Sequence, residues 1–337
     1  MRVLSLNIQL LPPLVHTTGG PSYKDERLRY FVERVLPDYD VVCLSEAWTC
    51  WICGCVPITA GPLGRCEQLV CAARERGFPH AVRAPRPPSC KLLDSGLLVL
   101  SRLPISGSAQ LSFTHPGCGV ERVVTNGALY ARVNGVALFV AHLQSDQVTR
   151  RRVRGSGANA RAHQVAELRR FIRRHAPGAG TADSEAEGPT LLLGDLNIDT
   201  YALERGDARE QAEWTALLEA LDGIDVLKVH SAGSVREPTL GDADESGQPT
   251  QASLPLTATD DLGSRQVVDH IVRIGGKGMA KGKRRLRAGA ALDEDWVRRA
   301  RVVKLLAPDQ PFAQVSDHYG VMVELRAEAA RASRLST

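Results

Sequence analysis

The chain has 337 residues, 43% hydrophobic and 5% aromatic, and its 42 Lys and Arg against 38 Asp and Glu leave a formal charge of +4. That apolar fraction excludes a disordered polymer, and no apolar run approaches the ~20 residues that span a bilayer. The charge, taken whole, is too small to mark a nucleic-acid binder.

Met1-Arg2-Val3-Leu4-Ser5-Leu6-Asn7-Ile8 reads as a strand beginning at once, with no h-region and small-residue cleavage site. Without a signal peptide the expected compartment is the cytoplasm, with peripheral membrane contact as an addition. The eight cysteines (43, 50, 53, 55, 66, 71, 90 and 118) are then expected as thiols. Helical spacing over Asp25 to Leu36 puts Leu28, Phe31, Val32 and Val35 on one face. Further strands are expected at Asp40 to Ser45, Leu97 to Ser101, Leu129 to Asn134, Val136 to His142 and Thr190 to Leu193. Asn134-Gly135 between two such runs is a hairpin signal, because Gly supplies the positive φ of the tight turn. Helices are expected at Ala160 to Arg174 and Ala212 to Leu221, and the last strands at Gln266 to Ile274 and Val321 to Leu325. Hairpins mixed with helical crossovers argue for mixed sheets packed together, with helices outside. Gly178 to Gly188, Glu237 to Asp261 and the basic Gly275 to Arg287 read as surface excursions. One domain is expected over residues 1–327, followed by a short polar tail over 328–337.

The chemistry lies at the ends of apolar strands, where a buried strand gives rigid placement and its end opens to solvent. Asn7 follows Val3-Leu4-Ser5-Leu6, Glu46 follows Val41-Val42-Cys43-Leu44-Ser45, and His142 follows Leu138-Phe139-Val140-Ala141. Asp195 and Asn197 follow Leu191-Leu192-Leu193-Gly194, Asp317-His318 precedes Tyr319-Gly320-Val321, and Asp269 sits inside Val267-Val268-Asp269-His270-Ile271. Hard oxygen donors such as Glu46, Asp195 and Asp317, with Asn amides nearby, suit Mg²⁺ or Mn²⁺. Zinc would want several close His or Cys ligands, and the histidines here are dispersed. Singly, each residue reads as a turn or a packing group; jointly, acid, amide or imidazole at so many strand ends reads as a site.

The ordered set Ser5-Leu6-Asn7, Leu44-Ser45-Glu46, Ser95-Gly96-Leu97, His142-Leu143-Gln144, Gly194-Asp195-Leu196-Asn197, Val268-Asp269 and Ser316-Asp317-His318 resembles the endonuclease/exonuclease/phosphatase superfamily, from residue 2 to about 325. Within it, the chain is most similar to the neutral sphingomyelinases. Ser95-Gly96-Leu97 leading to Ser101-Arg102-Leu103-Pro104-Ile105 resembles one of their blocks. His142-Leu143-Gln144 before an Arg-rich stretch and the helix beginning Arg161-Ala162-His163-Gln164 resembles another. The chain departs from them at Ala141, where Thr is usual, and at His270, where Tyr is usual.

The resemblance implies the deoxyribonuclease I-like fold, an α/β (α+β) four-layer sandwich of two packed mixed β-sheets flanked by helices. It also implies a Mg²⁺-dependent phosphodiesterase of phospholipase C type, releasing ceramide and phosphocholine. The metal is then expected on Glu46, with Asn7 close by and Asp317 on the metal side. His318 is expected as general base, oriented by Asp269; Asp195 and Asn197 are expected to position nucleophile and phosphate, and His142 to bind the phosphate. The expected partner is a phospholipid or sphingolipid at a membrane surface. The alternatives are a nuclease or abasic-site endonuclease, with nucleic acid as substrate, and a phosphoinositide phosphatase. The Trp48 to Pro62 segment is expected as a buried loop ahead of a membrane-touching lip, and Cys50-x-x-Cys53-x-Cys55 matches no standard metal spacing.

Overall fold

The structure is a computed structural model that describes residues 1–12, 22–52, 56–88, 91, 93–115, 117–146, 156–176, 188–203, 206–230, 237–240, 265–275 and 296–326. The first strands are β1 (Arg2–Asn7), β2 (Val41–Ser45), β3 (Trp51–Ile52), β4 (Val56–Pro57), β5 (His80–Arg83), β6 (Leu98–Ser101) and β7 (Ile105–Ser112). They are followed by β8 (Gly127–Val133), β9 (Val136–His142), β10 (Thr190–Asp195), β11 (Gly223–Asp225), β12 (Asp269–Ile274), β13 (Val297–Val303) and β14 (Gly320–Leu325). The helices are α1 (Lys24–Tyr30), α2 (Arg65–Glu75), α3 (Ala158–His175), α4 (Ala208–Leu221) and α5 (Val226–His230).

One sheet runs β13-β14-β1-β2-β6-β5 and the other β11-β12-β10-β9-β8-β7. Both are mixed. β1 pairs parallel with β2 and antiparallel with β14, and β10 pairs parallel with β9 and antiparallel with β12. The central strands are buried at nearly every position and mostly apolar because both of their faces are covered. Val3, Val41, Cys43, Val99 and Val321 face Leu129, Leu138, Val140, Leu191 and Ile271 of the other sheet, making the inner core. Their neighbours Leu4, Leu6, Val42 and Leu44 point outward beneath Leu28, Phe31, Leu69 and Val70 of the outer helical layer. On the far side, Phe139, Leu192 and Val272 lie under Leu168, Phe171, Trp214 and Leu217 of α3 and α4. The result is the four-layer sandwich that the sequence and its resemblance predict.

The differences have local causes. The first helix reaches Tyr30, continues as a π turn over Phe31–Val35, and closes in a 3-10 turn over Leu36–Asp38 with Pro37 in its first positions. β7 escapes hydrophobic patterning because its Ser, Gly and Gln residues alternate half-buried and exposed at the sheet edge. β13 is an edge of the other sheet; its exposed Arg298, Arg299 and Arg301 blunt that edge against further pairing. The strand expected from Gln266 starts at Asp269, and Gln266 instead bridges Leu240. Within the expected Glu237 to Asp261 excursion, Thr239 and Leu240 are buried, and residues 241–261 lie outside the described residues. So do 177–187, 276–295, Cys53, Cys55, Cys90 and the tail from 327 on. Cys43, Cys50, Cys66, Cys71 and Cys118 are free thiols. Among the described residues no helix is long and apolar enough to cross a membrane.

Candidate active site at the seam between the sheets

Both sheets deliver polar side chains to one end of the sandwich. Asn7 ends β1, Glu46 follows β2, and His318 precedes β14; His142 ends β9, Asp195 ends β10, and Asp269 opens β12. Asp195 and Asp269 are register partners across β10 and β12. Asn7 joins the two sheets, since its Nδ2 donates to Glu46 Oε1 at 2.9 Å and to Asp195 Oδ2 at 3.1 Å.

Two glycines make this end possible. Gly96 has φ +64, and a Cβ there would come to 3.0 Å from the Glu46 Cα and the Trp48 ring, so the Ser-Gly-Leu step lets the Glu46 turn close. Gly194 has φ +138, and a Cβ there would meet the Ala141 carbonyl oxygen at 2.0 Å. Only glycine brings Asp195 beside the strand that carries His142. Glu46 itself holds φ +59 and Asn197 φ +53, left-handed turns that leave the strand direction as the site begins.

His318 Nδ1 lies 2.8 Å from Asp269 Oδ2, a buried pair that fixes the ring and leaves Nε2 facing Asp195 Oδ2 at 3.9 Å. His142 Nε2 lies 3.6 Å from that same Asp195 oxygen. Both separations exceed a direct hydrogen bond and match the reach of a shared water or phosphate oxygen. The other nitrogen of His142, Nδ1, is buried without a partner among the described residues, and the Trp48 ring lies 6.3 Å away.

Burial alone pushes His318 down, but the Asp269 carboxylate, followed by Asp317 and Asp195, holds its imidazolium well above the usual histidine range. Burial pushes the Asp269 carboxyl up, against the pull of His318. Asp317 accepts from Gln9 Nε2 at 2.7 Å, and Ser316 Oγ lies 3.1 Å from its Oδ1. Its carboxyl is pushed up to about 7 by burial, opposed by His318 and reinforced by the negative charge of Glu46.

The residue types suit a hard cation: oxygen donors dominate, and acids outnumber the bases that could neutralise them. Two donor groups are present. One is Glu46 with Asn7 and the nearby Asp317. In the other, Asp195, Asp269 and His318 each offer an atom, all within 4.8 Å of one another.

A profile of the Endonuclease/Exonuclease/phosphatase family matches residues 4–318. The chain belongs to this family. It is 22% identical over 284 residues to a sphingomyelinase of Dictyostelium discoideum, covering 71% of this chain and 58% of that protein. It is 23% identical over 202 residues to sphingomyelinase C 2 of Leptospira interrogans, covering 59% of this chain and 30% of that one. The chain thus spans less than two thirds of either relative. Among solved structures, sphingomyelinase C from Streptomyces griseocarneus superimposes with a TM-score of 0.62 at 20% identity, over 96% of this chain and 98% of that one. Beta toxin from Staphylococcus aureus gives 0.64 at 18% identity, over 97% and 100%, and a second structure of that toxin is described with bound magnesium ions. A 3'-5' exonuclease from Neisseria meningitidis shares the fold at 0.56 and 15% identity, over 96% and 99%.

All eight residues singled out from the sequence lie at this end of the family fold. Asn197 supports its neighbours, since its Nδ2 donates to the Leu143 carbonyl at 2.9 Å and its backbone N donates to Asp195 Oδ1 at 3.1 Å. Sequence reasoning missed Thr239, which is fully buried. Its Oγ1 accepts from the Val268 and Asp269 amides at 3.1 and 3.2 Å, and its carbonyl accepts from Tyr319 N at 2.8 Å. Thr239 therefore ties the Asp269 strand to the His318 strand. The only sequence signal was the apolar break Pro238-Thr239-Leu240 in a polar stretch. Gln9, the partner of Asp317, carried no pattern signal because its role depends on a left-handed φ of +50.

Proposed function

We propose that the chain is a divalent-metal-dependent phosphodiesterase that cleaves the head group from a sphingolipid, with sphingomyelin giving ceramide and phosphocholine. The observation that carries this reading is the convergence of His318 Nε2 and His142 Nε2 on one oxygen of Asp195, with Asp269 behind His318. His318 takes a proton from water at Nε2, and Asp269 stabilises the imidazolium that forms. The water oxygen bonds to phosphorus as the phosphorus–oxygen bond to the lipid breaks. Asp195 holds the water, His142 binds the phosphoryl oxygens and the departing alkoxide, and that alkoxide takes up a proton from solvent to give the ceramide hydroxyl. Glu46 and Asp317 would hold Mg²⁺ or Mn²⁺, with Asn7 beside them orienting the Glu46 carboxylate through its Nδ2. A bound ion there supplies neutralisation of phosphate charge and of the leaving oxygen.

Two further features favour a choline lipid at a membrane. Trp48, buried 6.3 Å from the His142 ring, sets an aromatic side chain beside the site, the kind of group that attracts a quaternary ammonium. The β3–β4 hairpin that follows pairs Ile52 with Val56, each 56% exposed, and offers them to a lipid surface. Sequence reasoning set a buried loop ahead of a lip for this segment; Trp48 is buried, whereas the hairpin is not. The test is a release assay with Mg²⁺ comparing sphingomyelin, an inositol phosphosphingolipid, lysophospholipids and abasic DNA. Phosphocholine released from sphingomyelin supports the proposal; cleavage of abasic DNA with no lipid turned over refutes it.

A further inference from the structure

Arg27, on α1, is fully buried, and its guanidinium hydrogen-bonds to backbone carbonyls. Nη1 donates to Ile8 O at 3.0 Å and to Val315 O at 2.7 Å, Nη2 to Gln9 O at 2.8 Å, and Nε to Ser22 O at 2.9 Å. Ile8 and Gln9 directly follow Asn7, and Val315 directly precedes Ser316-Asp317-His318. One rigid planar fork thus grips the two turns that bring the β1 end and the β14 start into the site. Gln9 completes the connection. Its backbone N donates to Asn7 Oδ1 at 3.1 Å and its Nε2 to Asp317 Oδ2 at 2.7 Å. Ser316 Oγ donates to the Asn7 carbonyl at 2.6 Å, so the two turns are also stitched directly.

We infer that Arg27 and Gln9 form a strut that positions the Glu46–Asn7–Asp317 group for a divalent cation, Arg27 acting through the backbone and Gln9 through Asp317. The inference rests on the metal reading above and adds residues that touch neither ion nor substrate.

Charge and geometry make opposite forecasts here, which separates the strut from a general electrostatic effect. Burial pushes Arg27 down to about 10, while the Asp317 and Glu46 carboxylates pull it the other way, so its positive charge lies close behind the acids. If charge were the whole of its influence, removing it would tighten cation binding. Loss of the strut would instead weaken it, because the turns would no longer be held together. Lysine keeps the charge and offers a single point donor in place of the fork, so Arg27→Lys isolates the geometry.

The experiment is calorimetric titration of Mn²⁺ into the wild type, Arg27→Lys, Arg27→Gln, Gln9→Ala, the Arg27→Lys/Gln9→Ala double variant, Glu46→Gln and Leu69→Ala. Near-ultraviolet circular dichroism and melting establish that each is folded. Leu69 is a fully buried core residue of α2 in the same outer layer, so its truncation reproduces destabilisation without touching the strut. Each single strut variant is expected to bind Mn²⁺ about tenfold or more weakly, the range for residues that orient metal ligands. The double variant should be no weaker than the poorer single, because both remove one device. Leu69→Ala should stay within about twofold of wild type. Folded Arg27→Lys within about twofold of wild type, tighter binding by Arg27→Gln, or additive losses would overturn the strut. If Arg27→Lys does not fold, Gln9→Ala decides: binding within about twofold of wild type overturns it. A wild type that binds no Mn²⁺, or a Glu46→Gln variant that binds it unchanged, refutes the metal reading itself and the strut with it.

Discussion

Replacing Asp269 with Asn keeps the shape of the side chain and removes its charge. Asp269 Oδ2 lies 2.8 Å from His318 Nδ1, and both residues are buried. With the carboxylate, the proton belongs on Nδ1 and Nε2 is free to accept one from water. An asparagine can turn its NH₂ toward Nδ1 and favour the tautomer with the proton on Nε2, where it blocks the base. A hydrogen bond to a charged group is worth about 1.5–3 kcal/mol, or roughly ten- to hundred-and-fifty-fold in rate at ~1.4 kcal/mol per decade. Loss of a correctly protonated base costs about 10²–10⁴-fold, so the plateau rate of Asp269→Asn should fall about a hundredfold or more.

The pH profile supplies the second signature, and its sign follows from the same contacts. In the proposed mechanism His318 works as the neutral imidazole, so activity should climb as pH rises through its pKa. Although burial pulls that pKa down, Asp269 is the largest of the carboxylate contributions that hold it well above the usual histidine range. Asp269→Asn should therefore move the acid limb to lower pH while lowering the plateau. A bound cation depresses His318 in wild type and variant alike, so the difference between them keeps its direction. The assay is phosphocholine release from sphingomyelin micelles at saturating Mg²⁺ across the pH range, with melting recorded at each pH. A plateau within about threefold of wild type, or an acid limb that stays or moves upward, would refute the pairing of Asp269 with a catalytic His318.

The remaining expectations test the other parts. Excess chelator should abolish turnover and added Mg²⁺ or Mn²⁺ restore it, and Glu46→Gln should raise the Mg²⁺ needed for half-maximal rate; full activity in chelator removes the metal from the mechanism. His142→Ala and His318→Ala should each lose about a hundredfold or more in turnover while melting near the wild type, and turnover within a few-fold would make that histidine a packing residue. Gly194→Ala should cost at least about 3 kcal/mol in denaturant unfolding, since the added methyl meets the Ala141 carbonyl in a backbone conformation that side chains avoid; wild-type stability would refute the close approach. Glu210, in the first turn of α4, is pushed up to about 7 by burial, opposed by Arg161 and reinforced by Glu213, Asp146 and Asp199. The protonated carboxyl is favoured in the fold, so its stabilising share is complete below the ordinary carboxylate pKa and disappears as pH rises through about 7. Glu210→Gln should flatten that slope and stabilise the protein above neutrality by roughly 1–3 kcal/mol, and an unchanged melting profile against pH would refute it.

What the sequence shows and what it hides divide by mechanism. The central strands are legible because burial on both faces demands unbroken apolar runs. The side chains of the candidate site are legible because each interrupts or ends such a run: Asn7 after Leu6, Glu46 after Ser45, Asp195 after Gly194. The edge strands β7 and β13 lack that pressure, so Ser, Gln and Arg residues disguise them. α2 carries a legible helical pattern, with Cys66, Leu69, Val70 and Ala73 buried on one face. The supporting residues are hidden for another reason. Thr239 and Arg27 act on backbone amides and carbonyls, and a hydroxyl or guanidinium that bonds to the main chain leaves no partner residue to recognise.

The position of the site explains why so much support is needed. Asn7, Glu46 and His318 come from one sheet, and His142, Asp195 and Asp269 from the other. The Asp269–His318 pair and the Asn7–Asp195 hydrogen bond therefore both cross the seam. Within one sheet the ladder would fix such distances, but across the seam no ladder runs, and side-chain packing sets most of the spacing. The inner core of Val3, Cys43, Val99, Leu138, Leu191, Ile271 and Val321 is thus also a gauge of the spacing between His318 and Asp269. Interiors pack densely enough to transmit a change of one methylene, and a catalytic constellation tolerates little misplacement. Thr239, bonding to the strand ends of both sheets at once, adds the polar tie that apolar packing cannot supply.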